Sequence, residues 1–334
     1  MIKKAISILL SALVLVSLCS CEGSQNENIT ITAMNTLMQI RVFSSNGESE
    51  ALKSLEAETK RLEVLFDANL QGSDVSRVNA SATGCAVSED TARVIELSKK
   101  AAELTDGAFD ITVMPVLRLW GFDNGNYGVP EEQAVKNALL LVSSDNISVN
   151  GTDVLKAPKT EISLGGIAKG YLGDKLLQIA NDNDISAVIS LGGNIVLCGE
   201  NPEKGYWTVG VKNPLEGDGL ACSFESEGNL SVVTSGAYER YFEYEGGVYH
   251  HIIDTKTGEP ARSDLVSVTV IGENGALCDA FSTALFAMGK EKAVEFAKEN
   301  NDFEYIFITK QNEIIATEGV ANLKTENDAF KISK

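Results

Sequence analysis

Apolar residues recur at helical spacing along much of the chain. In residues 49–66, Leu52, Leu55, Leu62, Leu65 and Phe66 fall on one helix face, with charged residues between them. Residues 88–104 repeat the pattern: Ser88 is placed to cap, acids fill the first turn and lysines lie later. Another helix is predicted from Pro130-Glu131, because proline is tolerated in a first turn. Further helices are predicted over about 167–182, 276–288 and 290–301. Elsewhere the spacing falls to two. "ITITAMNTLMQIRVF" reads as an early strand pair or one long strand. From residue 145 short β-rich runs alternate with turns: "ISVNG", "DVLKAP", "TEISLGG", "SAVISLGGNIVLCG", "YWTVGV", "ACSFES", "LSVVTSG", "RYFEYEGGVYHHII" and "LVSVTVIG". "FEYIFITKQNEIIAT" reads as a closing hairpin, and "LWGFDNGNYGVP" as a turn-rich loop.

This order predicts an α+β fold with mixed or antiparallel sheets and flanking helices. Strands and helices do not alternate strictly, which disfavours a plain Rossmann fold.

The N-terminus has a different texture. Two lysines precede an apolar run of signal-peptide length that ends in Leu18-Cys19-Ser20-Cys21. This resembles a bacterial lipobox, which implies a signal over residues 1–20, lipidation of Cys21 and a polar tether over 21–29. The remaining domain spans 30–334 and would be held at the outer face of a membrane. The formal net charge is −19, and loss of Lys3 and Lys4 makes the chain more acidic still. Such a surface disfavours nucleic acid as a general partner. Any anionic substrate therefore needs a local pocket of positive charge or metal. Beyond the lipobox the cysteines are Cys85, Cys198, Cys222 and Cys278, with no CxxC pair. Two disulfides and buried free thiols are both open.

Four stretches carry candidate chemistry. In "CDAFSTALFAMG", Asp279, Ser282 and Thr283 share a helix face, so one carboxylate and two hydroxyls point together. That set suits a hard cation such as Mg²⁺. It also suits a helix start capped by Asp279. In "SLGGIAKGYLGD", Gly165 and Gly166 precede a helix start, and Lys169 lies one turn in. That is a phosphate cradle or a tight turn. "SLGG" occurs at both 163–166 and 190–193, which suggests two strand exits converging on one site. In "TDGAFDITVMPVLRLWGF", Met114, Trp120 and Phe122 are core residues or a surface for a ring. In "YHHIIDTKTGEP", His250 and His251 are the only histidines. On a strand over 248–253 they face opposite sides, so they do not share a metal, and one is free for general-base work.

These stretches, with Met34-Asn35-Thr36, "GSDVSRVN", "SGAYERYF" and "SLGGNIVLCG", occur in the order found in the ApbE family of FAD:protein FMN transferases. The resemblance covers roughly residues 30–290. It implies a two-lobed architecture with the site in the cleft. The implied reaction is Mg²⁺-dependent: a Ser or Thr hydroxyl of an acceptor protein attacks the FMN phosphorus of FAD, and AMP leaves. By resemblance, Gly166, Asp279, Ser282 and Thr283 form the Mg²⁺ site. His251 is the base, with His250 as second choice, and Asp279 acts with it at the catalytic centre. Met34, Ala108, Phe109, Asp110, Ser163, Lys169, Ser235, Gly236 and Ile253 contact FAD. Many relatives carry aspartate where Ser163 stands, which weakens one implied contact to the adenosine half. The acceptor would be an extracytoplasmic electron-transfer subunit or reductase bearing a short Ser/Thr motif. "TSGAYER" begins like that motif but is broken by Tyr238, so self-modification is not expected. A Mg²⁺-dependent FAD pyrophosphatase and a non-catalytic flavin-binding lipoprotein are the alternatives.

Overall fold

A computed structural model describes residues 26–43, 49–215 and 219–333. The signal, the lipobox with Cys21 and most of the tether lie outside the described residues.

The centre of the fold is a nine-stranded sheet. Its strands are Asn26–Ala33, Thr36–Phe43, Ser186–Ser190, Asn194–Cys198, Leu230–Gly236, Leu265–Gly272, Glu304–Thr309, Glu313–Ala316 and Lys331–Ser333. They lie side by side in chain order, antiparallel except for the last pair. Such a meander needs no crossover until its final strand, and the long connections carry the helices.

Alternation assigns the two faces of the sheet. In Asn194–Cys198, Val196 and Cys198 join the helix-side core, while Ile195 and Leu197 join the opposite one. The helix side is covered by Ser49–Phe66, Glu89–Leu104, Ala168–Asp182, Gly275–Met288 and Lys290–Glu299. The opposite face packs on a three-stranded sheet of Trp207–Lys212, Leu220–Ser226 and Lys324–Thr325. A smaller aromatic unit sits to one side, built from Val116, Trp120, Phe122, Phe242 and Ile253. The candidate site lies where this unit meets the main body.

The helices start and stop near the predicted positions. Ser88 caps the second long helix through Thr91 N–H, and the helix after Pro130 begins at Glu132. Cys85, Cys198, Cys222 and Cys278 are free thiols, and burial pushes Cys198 and Cys222 up to about 12.

Three expectations need correction. Residues 161–164 do not form a strand. The Ile162 N–H donates to Asn79 Oδ1 at 2.7 Å, and Asn79 Nδ2 donates to the Ile162 carbonyl at 2.9 Å. One side-chain amide thus satisfies both backbone groups that a neighbouring strand would otherwise take. Only the second "SLGG" therefore leaves a strand. The return strand of the histidine hairpin is Gly247–His250, so His251 stands in the bend just past its end. Two short helices, Asp74–Ala80 and Met114–Trp120, were not predicted.

Candidate functional site

The helix Gly275–Met288 is apolar almost all round. Ala280, Phe281, Ala284, Leu285 and Phe286 are buried on several sides, each large side chain contributing about 1.5–3 kcal/mol. Asp279 is the one carboxylate in this helix, and it is only 4% exposed. Asn274 rather than Asp279 caps the helix, through the Leu277 N–H at 2.9 Å. The capping alternative for Asp279 is thereby excluded.

The surroundings of Asp279 come from the helix Ala168–Asp182. The Gly170 N–H donates to Asp279 Oδ2 at 2.9 Å. A Cβ on Gly170 would lie 2.1 Å from the Gly275 carbonyl oxygen and 2.7 Å from Asp279 Cβ. Only glycine allows this approach. Burial raises the Asp279 carboxyl above its ordinary value, while Lys169, the Gly170 N–H and the Asn194 amide pull the other way. A bound cation would relieve the same strain.

Hydroxyls and a glycine turn complete the group. Ser282 Oγ donates to the Asp279 carbonyl at 2.9 Å and lies 2.8 Å from Ser235 Oγ. Ser235 Oγ is 3.4 Å from Thr283 Oγ1. A Cβ on Gly166 would fall 3.1 Å from the Phe109 ring and 3.6 Å from Thr283 Oγ1. Gly166, Phe109, Ser235, Asp279, Ser282 and Thr283 are therefore one cluster. Its donors are a carboxylate, hydroxyls and a nearby backbone turn, which fits a hard cation. Among the described residues no group of three or more His, Cys, Asp or Glu side chains gathers as a metal site.

Lys169 extends the cluster toward the second glycine turn. Its Nζ donates to the Gly192 carbonyl at 3.0 Å. Thr36 abuts Gly192 from the other side, which brings the turn carrying Met34 to the same place. Met34 holds a left-handed backbone, and its N–H donates to Glu63 Oε1 at 2.7 Å. The two glycine stretches do converge, although only one of them leaves a strand.

Three residues in this region had no sequence signal. Glu239 sits against Gly193, and burial pushes it up to about 6, with Lys169 opposing and Asp279 adding to the rise. Asn194 and Asp174 also face the Asp279 region. Glu239 lay within the quoted "SGAYERYF", but no spacing marked it.

The two histidines differ sharply. His250 is buried, its Nε2 pairs with the Ala261 carbonyl at 2.9 Å, and its ring meets Phe286 edge-on. His251 is half-buried beside Phe122, and its Nδ1 pairs with the Arg240 carbonyl at 3.1 Å. A carbonyl only accepts, so Nδ1 carries the proton and Nε2 keeps its lone pair. Burial and then the Arg240 guanidinium hold the His251 imidazole below its ordinary value, so it is neutral at neutral pH.

The other residues implied by the resemblance have partners of their own. Asp110 caps the short turn Ile111–Val113, its Oδ1 accepting from Thr112 N and Oγ1 at 2.8 and 2.7 Å. Ile253 is buried in the aromatic unit with Trp120 and Phe122. Met114, Trp120 and Phe122 are core, as the plainer reading had it. Ser163 Oγ accepts from the Gly165 N–H at 3.4 Å, Ala108 is half-buried before Phe109, and Gly236 packs under the Tyr238 ring.

The ApbE family model matches residues 34–307, a span that contains every residue of the cluster. The chain belongs to the ApbE family. It is 35% identical over 263 residues to an FAD:protein FMN transferase of Klebsiella pneumoniae, covering 77% of this chain and 81% of that one. The transferase of Treponema pallidum is 31% identical over 311 residues, with 86% of each chain covered. Among solved structures, the ApbE protein of Thermotoga maritima superposes with a TM-score of 0.82 at 33% identity, over 88% of this chain and 97% of that one. The flavin transferase ApbE of Vibrio cholerae gives 0.81 at 24% identity, over 89% and 99%. The α+β class and the ApbE-like architecture hold.

Proposed function

We propose that this chain is a Mg²⁺-dependent FAD:protein FMN transferase. The observation that carries the reading is the meeting of Asp279, Thr283, Ser282 and the Gly166 turn with Lys169 in an ApbE-family chain, with a neutral His251 whose imidazole feels the Lys169 charge. FAD is the donor substrate, and the acceptor is a protein Ser or Thr hydroxyl.

Asp279 and Thr283 would hold the cation, with Ser282 and the Gly166 carbonyl completing the protein's share. When bound, Mg²⁺ neutralises charge on the pyrophosphate oxygens. Lys169 adds the fixed positive charge that an acidic protein must supply locally. The acceptor oxygen forms a bond to the FMN phosphorus as the bond from that phosphorus to the AMP oxygen breaks. His251 Nε2 takes the proton of the attacking hydroxyl. Positioning and charge neutralisation do most of the work in such a transfer. The buried His250, with Nε2 committed to Ala261, is the structural partner. Phe109, Met34, Ala108, Asp110, Ser163, Ser235, Gly236 and Ile253 line or support the FAD side.

Cys21 is read as a lipid anchor at the outer membrane face, on the strength of the "LCSC" sequence alone. The acceptor is then an extracytoplasmic protein, consistent with that address.

The test uses the protein with FAD, Mg²⁺ and an acceptor protein carrying a Ser/Thr flavinylation motif. Intact mass should show FMN added to the acceptor, with one AMP released per addition. AMP and free FMN with no labelled acceptor would favour hydrolysis. FAD binding without AMP release would leave a flavin-binding protein.

A further inference from the structure

Two helices of the site carry the same short pattern. Gly170 and Asp174 lie one turn apart on Ala168–Asp182, and Gly275 and Asp279 lie one turn apart on Gly275–Met288. Glycine and aspartate four residues apart share a helix face. Here the two faces meet. Asp174 Oδ1 accepts from the Gly275 N–H at 2.6 Å, and Asp174 Oδ2 from the Ala276 N–H at 3.0 Å. In return, Asp279 Oδ2 accepts from the Gly170 N–H at 2.9 Å. Each aspartate thus takes the backbone N–H of the other helix's glycine.

The glycines make the exchange possible. A Cβ on Gly275 would lie 2.7 Å from Asp174 Oδ1 and 2.7 Å from the Gly170 carbonyl oxygen. The backbones therefore touch with no side chain between them. One aspartate of the pair is the candidate cation ligand. The other, Asp174, is half-buried and directs both oxygens to the first turn of the ligand-bearing helix. Asn274 already caps that helix from its own chain segment, so a second cap from another helix does more than end a turn.

We propose that Asp174 is a positioning residue: it locks the helix bearing Asp279 and Thr283 against the helix that begins beside Gly166 and carries Lys169. The proposal rests on the cation reading given above only for its consequence in metal binding. Loss of Asp174 frees one end of the exchange, and the Gly170–Asp279 bond at the other end loosens with it.

The test compares the wild type with Asp174→Asn and Asp174→Ser in metal-free protein and with Mn²⁺ alone. Amide exchange at Gly170, whose N–H bonds to Asp279 and not to the Asp174 side chain, should speed up several-fold in both variants. Mn²⁺ binding, followed by electron paramagnetic resonance, should weaken about ten-fold, the loss typical of a partner behind a ligand. Cooperative thermal unfolding checks that each variant is folded. Faster exchange confined to residues 275–277, with unchanged Mn²⁺ affinity, would make Asp174 a local cap only and overturn the proposal. A wild type that binds no Mn²⁺, with Gly170 still loosened in the variants, would support the lock and remove the cation reading.

Discussion

Gly170→Ala offers the sharpest quantitative test of the site. The added Cβ would stand 2.1 Å from the Gly275 carbonyl oxygen, where ordinary contact begins at 3.4 Å. The obstacle is backbone, so no side-chain rotation relieves it. The helices must separate by the difference, about 1.3 Å, or the Gly170 turn must distort. Overpacking of this kind costs about 1–3 kcal/mol. Alanine returns roughly 0.8–1 kcal/mol of helix propensity. The net loss is about 0–2 kcal/mol, or at most about 8 °C in melting temperature. Function should suffer far more than stability. A shift near 1 Å between the Asp279 helix and the Gly166–Lys169 segment exceeds what Mg²⁺ coordination tolerates, and such misplacement can cost about 100-fold. The assays are calorimetry and AMP release from FAD across a Mg²⁺ titration. A variant that melts with the wild type and turns over FAD at the same Mg²⁺ concentration would refute the argument that this contact sets the site.

Asp279→Asn should abolish Mg²⁺-dependent AMP release while leaving the metal-free protein as stable as the wild type or more so, because it removes a buried, poorly solvated charge; a large fall in melting temperature with activity intact would reverse the assignment. His251→Ala should slow transfer to the acceptor about 10²–10⁴-fold with FAD affinity unchanged, whereas His250→Ala should mainly lower stability, by about 1–3 kcal/mol for the stranded Ala261 carbonyl and lost packing; the opposite pattern would exchange their roles. Metal-free stability should respond to pH through Asp174 and Glu239, both raised to about 6 by burial. Their folded values exceed their ordinary ones, so their contribution is present at low pH and lost as pH rises from about 4 through 6. For Asp174 the span from 3.8 to about 6 corresponds to at most about 3 kcal/mol. A melting temperature in EDTA that climbs between pH 5 and pH 7 would contradict this.

Much of the scaffold was legible because its cores are built on clean periodicity. Leu52, Leu55 and Leu62 all point inward from Ser49–Phe66, as their spacing required. The failures share a physical cause: a side chain took a job that periodicity assigns to backbone. Asn79 replaced a strand beside Ile162. Ser73 capped a helix too short to show a hydrophobic stripe, and Pro115 stands in the first turn of another that is equally short. At the site, the shared face of Asp279, Ser282 and Thr283 was readable from spacing, but the choice between cap and ligand was not. Asn274 settled it, and its role depends on where the preceding strand ends. Nothing in the sequence singled out Asp174; that Gly170 with Asp174 and Gly275 with Asp279 answer each other required the fold.

The sheet's strand order carries one last consequence, for how activity is acquired. Neighbouring strands follow one another in the order they leave the ribosome, so a growing sheet could recruit each one at its open edge. The candidate carboxylate, however, sits on a helix that follows the sixth strand, and its partners belong to segments laid down much earlier. A chain interrupted before residue 275 has the glycine turns, Lys169 and both histidines but no Asp279. Such a fragment should be silent. Reactivity toward a phosphoanhydride would switch on late and all at once, when the helix Gly275–Met288 docks.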